Sequence, residues 1–88
     1  MSYKYSTVHY IAPGATIEFW FSFSGEADKG PQWAMADPVP TLTPYANILV
    51  TQSVGKRSTS MQGTVVYFAW ITNWNALHPS YVQLEVTG

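Results

Sequence analysis

The chain has 88 residues, of which 47% are hydrophobic and only 10% are charged, and it contains no cysteine. This length is enough for one small domain, which we place at residues 1–88, and the lack of cysteine excludes disulfide bonds and thiolate metal sites. The formal net charge is −1, whereas nucleic-acid-binding surfaces and anchors for anionic membranes need clustered Lys and Arg. The composition therefore argues against a nucleic-acid partner and, less strongly, against a membrane partner.

Hydrophobic and polar residues alternate over several short segments, which is typical of strands separated by turns. The alternation predicts strands at residues 3–11 and 15–24, separated by an Ala-Pro-Gly turn at residues 12–14. The apolar residues that alternate along the second strand form its predicted buried face: Ile17, Phe19, Phe21 and Phe23. Trp20 then lies on the opposite face, where a solvated sheet would normally carry a polar residue.

The middle of the chain contains two turn-rich segments and two predicted strands. Residues 25–30 predict a solvated turn, and residues 32–36 predict a short strand. Residues 37–44 contain three prolines and are predicted to cross a sheet edge or to pass from one sheet to another. Residues 45–54 predict the next strand, and residues 55–63 predict a hairpin loop. The apolar residues expected on one face of that strand are Ile48, Val50 and Val54.

The most apolar predicted strand, residues 64–73, is hydrophobic on both faces. One face is predicted to contain Val65, Tyr67, Ala69 and Ile71, and the other Val66, Phe68 and Trp70. One face should therefore contact the core, and the other a loop, a ligand or another subunit. A turn at residues 73–80 leads to the last strand, residues 80–87. The residues of that strand expected to point inward are Val82, Leu84 and Val86.

These elements predict an all-β fold, a small antiparallel β-sandwich of about six or seven strands. Residues 47–88 resemble the C-terminal half of immunoglobulin- and fibronectin-like sandwiches. The resemblance rests on a Tyr-x-x-x-Ile-x-Asn strand followed by a Tyr-x-x-Leu strand: Tyr67, Ile71 and Asn73, then Tyr81 and Leu84. The cysteine pair and central tryptophan of antibody domains are missing as a set. The resemblance implies an Ig-like fold and no activity.

Residue types that support catalysis or metal binding are not grouped along the chain. The two histidines, His9 and His78, are far apart and have no ligand-spaced partner. Glu26 and Asp28 have the spacing of a calcium loop but lack the bidentate Glu that should follow. No G-x-S-x-G motif and no glycine-rich phosphate loop occurs. We therefore expect no enzymatic activity, no cofactor and no bound metal. The N-terminus lacks signal-peptide features, and the sequence does not indicate the cellular compartment.

Four tryptophans are more than one core of this size can hold, so some of them should be exposed. One hypothesis is a non-catalytic, lectin-like module in which exposed rings stack on a neutral carbohydrate and amides bind its hydroxyl groups. The candidate ligand-binding residues are Trp20, Trp33, Trp74, Asn73 and Asn75. The alternative is a structural or interaction subunit of a homo-oligomer, in which Trp20 and Trp70 lie between protomers. A third and weaker hypothesis inserts the apolar outer face at a lipid surface.

Overall fold

The computed structural model describes residues 2–42 and 47–88, which form seven strands and one short 3-10 turn, Ser24–Glu26. The strands are β1 (Ser2–Lys4), β2 (His9–Ile11), β3 (Thr16–Phe21), β4 (Trp33–Pro38), β5 (Leu49–Ser58), β6 (Val65–Asn73) and β7 (Ser80–Thr87). All pairings are antiparallel. Within the described residues, no helix has the length and apolar character needed to cross a membrane.

The strands form two sheets that pack as a small β-sandwich, which confirms the predicted fold class. In the first sheet β7 is central, with β4 on one edge and both β1 and β2 on the other. The second sheet has the order β3-β6-β5. The observed bounds of β7 equal the predicted ones, and β6 begins one residue later than predicted.

The core lies between the sheets and is built from alternate residues of the strands. Its buried members are Ile11, Phe19, Phe21, Ala34, Ala36, Val65, Tyr67, Ala69, Ile71, Val82, Leu84 and Val86. The inward faces predicted for the strands now called β3, β6 and β7 are therefore confirmed, with Ile17 and Phe23 packed against the core at its margin. Three alanines occupy core positions, and none of the four tryptophans belongs to this cluster.

The prediction of one continuous strand at residues 3–11 is wrong. The structure has two short strands there, β1 and β2, and the backbone between them does not form regular ladder pairs with β7. Tyr5 N–H still donates to Leu84 O at 2.8 Å, but Ser6 O accepts a bond from the side-chain amide of Gln83 at 3.1 Å instead of from a backbone N–H. The two adjacent predicted strands also change length: residues 15–24 become Thr16–Phe21, and residues 32–36 become Trp33–Pro38.

The predicted face of β5 is wrong because the strand contains an irregularity between Thr51 and Ser53. The extra residue reverses the inward and outward alternation. Thr51 is opposite buried Ile71, and Val54 is opposite buried Ala69. The residues of β5 that face the core are accordingly Leu49, Thr51 and Val54, whereas Ile48 lies before the strand and is exposed. β5 also continues through Ser58, into the predicted loop, and the predicted start at residue 45 lies outside the described residues.

The two long sides of the sandwich differ. On one side the Thr51 hydroxyl donates to Ala34 O at 2.7 Å, which joins β5 to β4. β4 and β5 belong to different sheets, so the chain passes from one sheet to the other between them, which is one of the two paths predicted for residues 37–44. Residues 43 and 44 of that segment lie outside the described residues. On the other side, which we call the open seam, β1 and β2 lie beside β3, and no ladder joins them in the described part of the chain. The His9 and Phe19 rings meet across this seam at 4.8 Å.

Candidate functional site

The outer surface of the three-stranded sheet carries aromatic side chains that no other described element covers. We call the surface formed by Glu18, Trp20, Phe68, Trp70 and Arg57 the aromatic face. Strand register places Trp20 opposite Phe68 and Glu18 opposite Trp70. Trp20 is 50% exposed and Trp70 40% exposed. Side chains opposite each other in an antiparallel pair lie on the same face. Trp20 of β3 therefore shares one surface with Phe68 and Trp70 of β6.

A glycine in the neighbouring strand allows the central ring of this face to lie close to the sheet. Gly55 is opposite Phe68, and a Cβ added to Gly55 would lie 2.6 Å from the Phe68 ring. The ring therefore covers the glycine backbone. Phe68 also contacts Trp20, with ring centroids 6.3 Å apart and planes tilted by 45°. The face is consequently packed within itself even though two of its rings remain half-exposed.

Both charges of the aromatic face are engaged with Trp20. The indole N–H of Trp20 donates to the Glu18 carboxylate, and the Arg57 guanidinium lies 5.9 Å from the Trp20 ring centroid. A guanidinium at this distance from an indole is a cation–π contact, worth about 0.5–1 kcal/mol at an exposed site. The two charges therefore do not project freely, and the face presents mainly ring surface.

The predicted ligand-binding tryptophans lie on different parts of the molecule. Trp20 belongs to the aromatic face, whereas Trp33 is in β4 on the outer side of the other sheet, opposite Thr87, and is 47% exposed. Trp74 follows β6 in the turn and is 60% exposed. The structure does not bring these three rings into one site. It brings Trp20 together with Trp70, which the sequence associated with a subunit interface.

The two predicted ligand-binding asparagines hold the turn between β6 and β7. Asn73 has no exposed surface. Its side-chain N–H groups donate to Ile11 O at 3.3 Å and to His78 O at 3.0 Å, and its side-chain oxygen accepts from Asn75 N–H at 3.0 Å. Asn75 in turn accepts from the N–H groups of Leu77 and His78 and donates to Asn47. Asn73 is therefore not available to a ligand at the surface, because its amide replaces missing backbone partners inside the protein.

Sequence reasoning missed Arg57 as a member of the aromatic face. The alternation along β6 predicts Phe68 beside Trp70, but the pattern of residues 55–63, which include Arg57, predicts a hairpin loop. The irregularity in β5 and the extension of that strand to Ser58 bring Arg57 over the sheet. The only sequence signal for this contact is Gly55, since a glycine within a strand often marks a close approach by another group.

A second cluster anchors the loop that precedes β4. The hydroxyl of Tyr67 donates to Gly30 O at 2.7 Å and accepts from Lys29 N–H at 3.0 Å. Lys56 Nζ lies 2.9 Å from an Asp28 carboxylate oxygen, which also accepts from Gly30 N–H at 2.9 Å. The Lys56 hydrogen bond, followed by that from Gly30, holds the pKa of Asp28 below its ordinary value, and the same bond raises the pKa of Lys56.

The lowered pKa of Asp28 predicts that acid releases this loop. An unfolded Asp titrates at about 3.9, so the contribution of the ion pair is present above that pH and is lost as pH falls through the lower folded-state pKa. We expect the Asp28 carboxyl resonance and the Gly30 amide resonance to change together in an NMR titration. Lys56→Gln should move the Asp28 midpoint upward, and an unchanged midpoint in that variant would contradict the assignment.

Comparison with known proteins assigns no function: no family model, no curated protein and no solved structure matches the chain. Within residues 2–42 and 47–88, no group of three or more His, Asp or Glu side chains is arranged to hold a metal ion. Any functional conclusion therefore rests on the surfaces and cavities of this chain.

Proposed function

We propose that the protein is a non-catalytic interaction module that associates with a second copy of itself through the aromatic face. The observation that carries the proposal is the exposure of Trp20 and Trp70 in diagonal positions on the same face of neighbouring strands. Trp and Arg are enriched in the centres of protein interfaces, whereas other charged residues are depleted there. The aromatic face matches that composition, and the chain as a whole has few charges to oppose self-association.

The polar contacts within the face favour a protein surface over a sugar as its occupant. A sugar platform needs free donors and acceptors beside an open ring. Glu18 is bonded to the indole of Trp20, and Arg57 lies over the same ring. Thr72 is similarly paired, with its hydroxyl 2.6 Å from that of Thr16. The Trp20 N–H and the Thr16 and Thr72 hydroxyl groups are paired within the sheet, so a partner can cover them without leaving them unsatisfied. The charged ends of Glu18 and Arg57 still need water or polar groups of the partner.

The size of the sheet indicates that this association is weak. Strands rise about 3.3 Å per residue and lie about 4.8 Å apart, so three strands of this length span on the order of 400 Å². A stable interface typically buries about 800 Å² on each partner. We therefore expect a dissociation constant in the micromolar range or weaker, with association visible only at raised protein concentration.

A neutral carbohydrate is the second candidate occupant, and the surroundings of Trp70 support it. Register places Glu18 on one side of Trp70 and Ser53 on the other, so the ring is flanked by polar side chains on both neighbouring strands. A pyranose could stack on the ring while its hydroxyl groups contact these flanks. This candidate predicts a monomer whose tryptophan fluorescence changes on addition of neutral glycans. Self-association predicts an oligomer whose tryptophan fluorescence does not respond to neutral glycans.

Replacing Trp70 with Ser should abolish self-association while leaving the fold intact, because the ring lies on the outer face of β6. Sedimentation velocity over a wide concentration range would measure the self-association of both chains. We expect the sedimentation coefficient of the wild-type chain to rise with concentration and that of Trp70→Ser to remain constant.

Trp33→Ser is the matched control, since Trp33 is similarly exposed but lies on the opposite side of the sandwich. This variant should associate like the wild type. A wild-type chain that stays monomeric at millimolar concentration would overturn the proposal, as would equal loss of association in both variants.

A further inference from the structure

A cavity of about 440 Å³ opens on the open seam, at the end where β7 finishes. Its lining includes the rings of Tyr3, Tyr5 and Phe23, together with Ser22, Ser24 and Lys29. Sites for small molecules typically measure about 300–1,000 Å³ and combine apolar or aromatic walls with a few polar groups. The size and the lining of this cavity both match that description, and the aromatic face contributes no residue to it.

The aromatic walls are supported by the core. Tyr3 and Tyr5 meet edge to face with centroids 4.8 Å apart. Phe23 packs at 5.7 Å against Tyr67, which is stacked on Phe21 at 5.3 Å with only 9° between the rings. Burial, followed by the proximity of Tyr3, raises the pKa of Tyr5, in agreement with the partial burial of this side chain. The walls are therefore preformed.

Apart from Gln32, whose amide donates to Lys29 O, the polar side chains that line the cavity are hydrogen-bond donors with no partner in the described part of the chain. The hydroxyl groups of Tyr3, Tyr5, Ser22 and Ser24 bond to no group among the described residues. The Lys29 ammonium is likewise unpaired there, whereas Lys4 and Lys56 form ion pairs with Asp37 and Asp28. No Asp or Glu belongs to the lining. The lining thus combines one cation and several hydroxyl groups with three aromatic rings.

The backbone of Lys29 is fixed, although its side chain has no hydrogen bond or ion pair within residues 2–42 and 47–88. Lys29 N–H donates to the Tyr67 hydroxyl at 3.0 Å, and Lys29 O accepts from the side-chain amide of Gln32 at 3.2 Å. Tyr67 is only 2% exposed and is part of the core. The backbone position of Lys29 at the edge of the cavity is therefore determined by the folded core.

We propose that this cavity binds a small molecule that bears a carboxylate on a six-membered ring. The ring packs between the Tyr and Phe walls, the carboxylate accepts a charge-assisted hydrogen bond from Lys29, and the hydroxyl groups donate to the remaining oxygens. Sugar acids and aromatic carboxylates share this chemistry. The proposal concerns a different surface from the self-association proposed above and does not depend on it.

The test is an NMR titration of the full chain with glucuronate and benzoate, using glucose and benzyl alcohol as their uncharged counterparts. We expect at least one acid to shift the aromatic resonances of Tyr3, Tyr5 and Phe23 in a saturable way. That acid should bind about fivefold more tightly than its uncharged counterpart, the upper limit for one exposed ion pair. The acid that saturates identifies the sugar or the aromatic class.

Two variants assign the preference to Lys29. Lys29→Gln should bind the acid no better than the uncharged counterpart. Lys4→Gln removes the same charge from the outer face of the first sheet and should retain the preference. The proposal is overturned if neither acid saturates, if the wild type shows no preference for the acid, or if the preference survives in Lys29→Gln. Trp70→Ser should bind the acid like the wild type, so this test and that of self-association fail independently.

Discussion

Replacing Phe21 with Ala should lower the free energy of unfolding by about 3–5 kcal/mol, the usual cost of deleting a large aromatic side chain from a core. Phe21 is 4% exposed. Its ring is stacked on Tyr67 at 5.3 Å and contacts Phe23 and Tyr5, each at 6.4 Å. The change would therefore leave a cavity at the point where four rings meet. Urea unfolding followed by circular dichroism would measure the loss.

The adjacent residue provides the control for this prediction. Trp20 is next to Phe21 in β3 but points to the opposite side of the sheet and is half-exposed. Trp20→Ala should cost about 1 kcal/mol or less, the usual range for a surface change that removes one cation–π contact. A whole domain of this length is stable by about 4–13 kcal/mol. If Trp20→Ala destabilised the fold as much as Phe21→Ala, the assignment of inner and outer faces in β3 would be contradicted.

Replacing Asn73 with Ala should lower the free energy of unfolding by about 2–4 kcal/mol, because it leaves several buried polar groups without partners. The groups affected are Ile11 O, His78 O and Asn75 N–H, through which the Asn73 amide joins β2 to the turn before β7. We expect accelerated amide hydrogen exchange in the turn before β7 as well as a lower urea midpoint.

Thr72→Ala is the matched control for Asn73→Ala. Thr72 precedes Asn73 in β6, and its hydroxyl bonds only to exposed groups, those of Thr16 and Gln52. Its loss should cost about 1 kcal/mol or less. A similar cost for both variants would mean that the Asn73 amide contributes no more than an ordinary surface hydrogen bond.

The contrast between these residues explains how much of the fold the sequence predicts. Where one face of a strand is buried, alternation is a strong signal, and it correctly placed Phe21 inside and Trp20 outside in β3. The same signal succeeded in β6 and β7. It failed in β5, because an irregularity of one residue at Gln52 reverses the alternation without any glycine or proline to mark it.

The candidate site was less predictable than the fold, because its contacts join residues far apart in the chain. Asn73 and Asn75 have the composition of a polar turn, and nothing local distinguishes an amide that binds a ligand from one that bonds to buried carbonyl groups. The contact of Arg57 with Trp20 depends on the path of β5 across the sheet. The hydroxyl of Tyr67 reaches the loop at residues 28–30 from a core position that alternation alone describes as apolar.

None of the four tryptophans lies in the buried core. Three of the twelve core positions are occupied by alanine, and the large rings in the core are Phe19, Phe21 and Tyr67. The aromatic surplus inferred from composition is therefore real in the single chain, with every tryptophan at least 40% exposed.

The most direct test of the proposed association is a map of the solvent accessibility of each tryptophan at low and high protein concentration. Hydroxyl-radical footprinting read by mass spectrometry resolves the four residues individually. We predict that Trp20 and Trp70 become protected as concentration rises, while Trp33 and Trp74 keep their accessibility. Oxidation of all four tryptophans at rates that do not change with concentration would contradict the proposal that the aromatic face joins two copies of this chain.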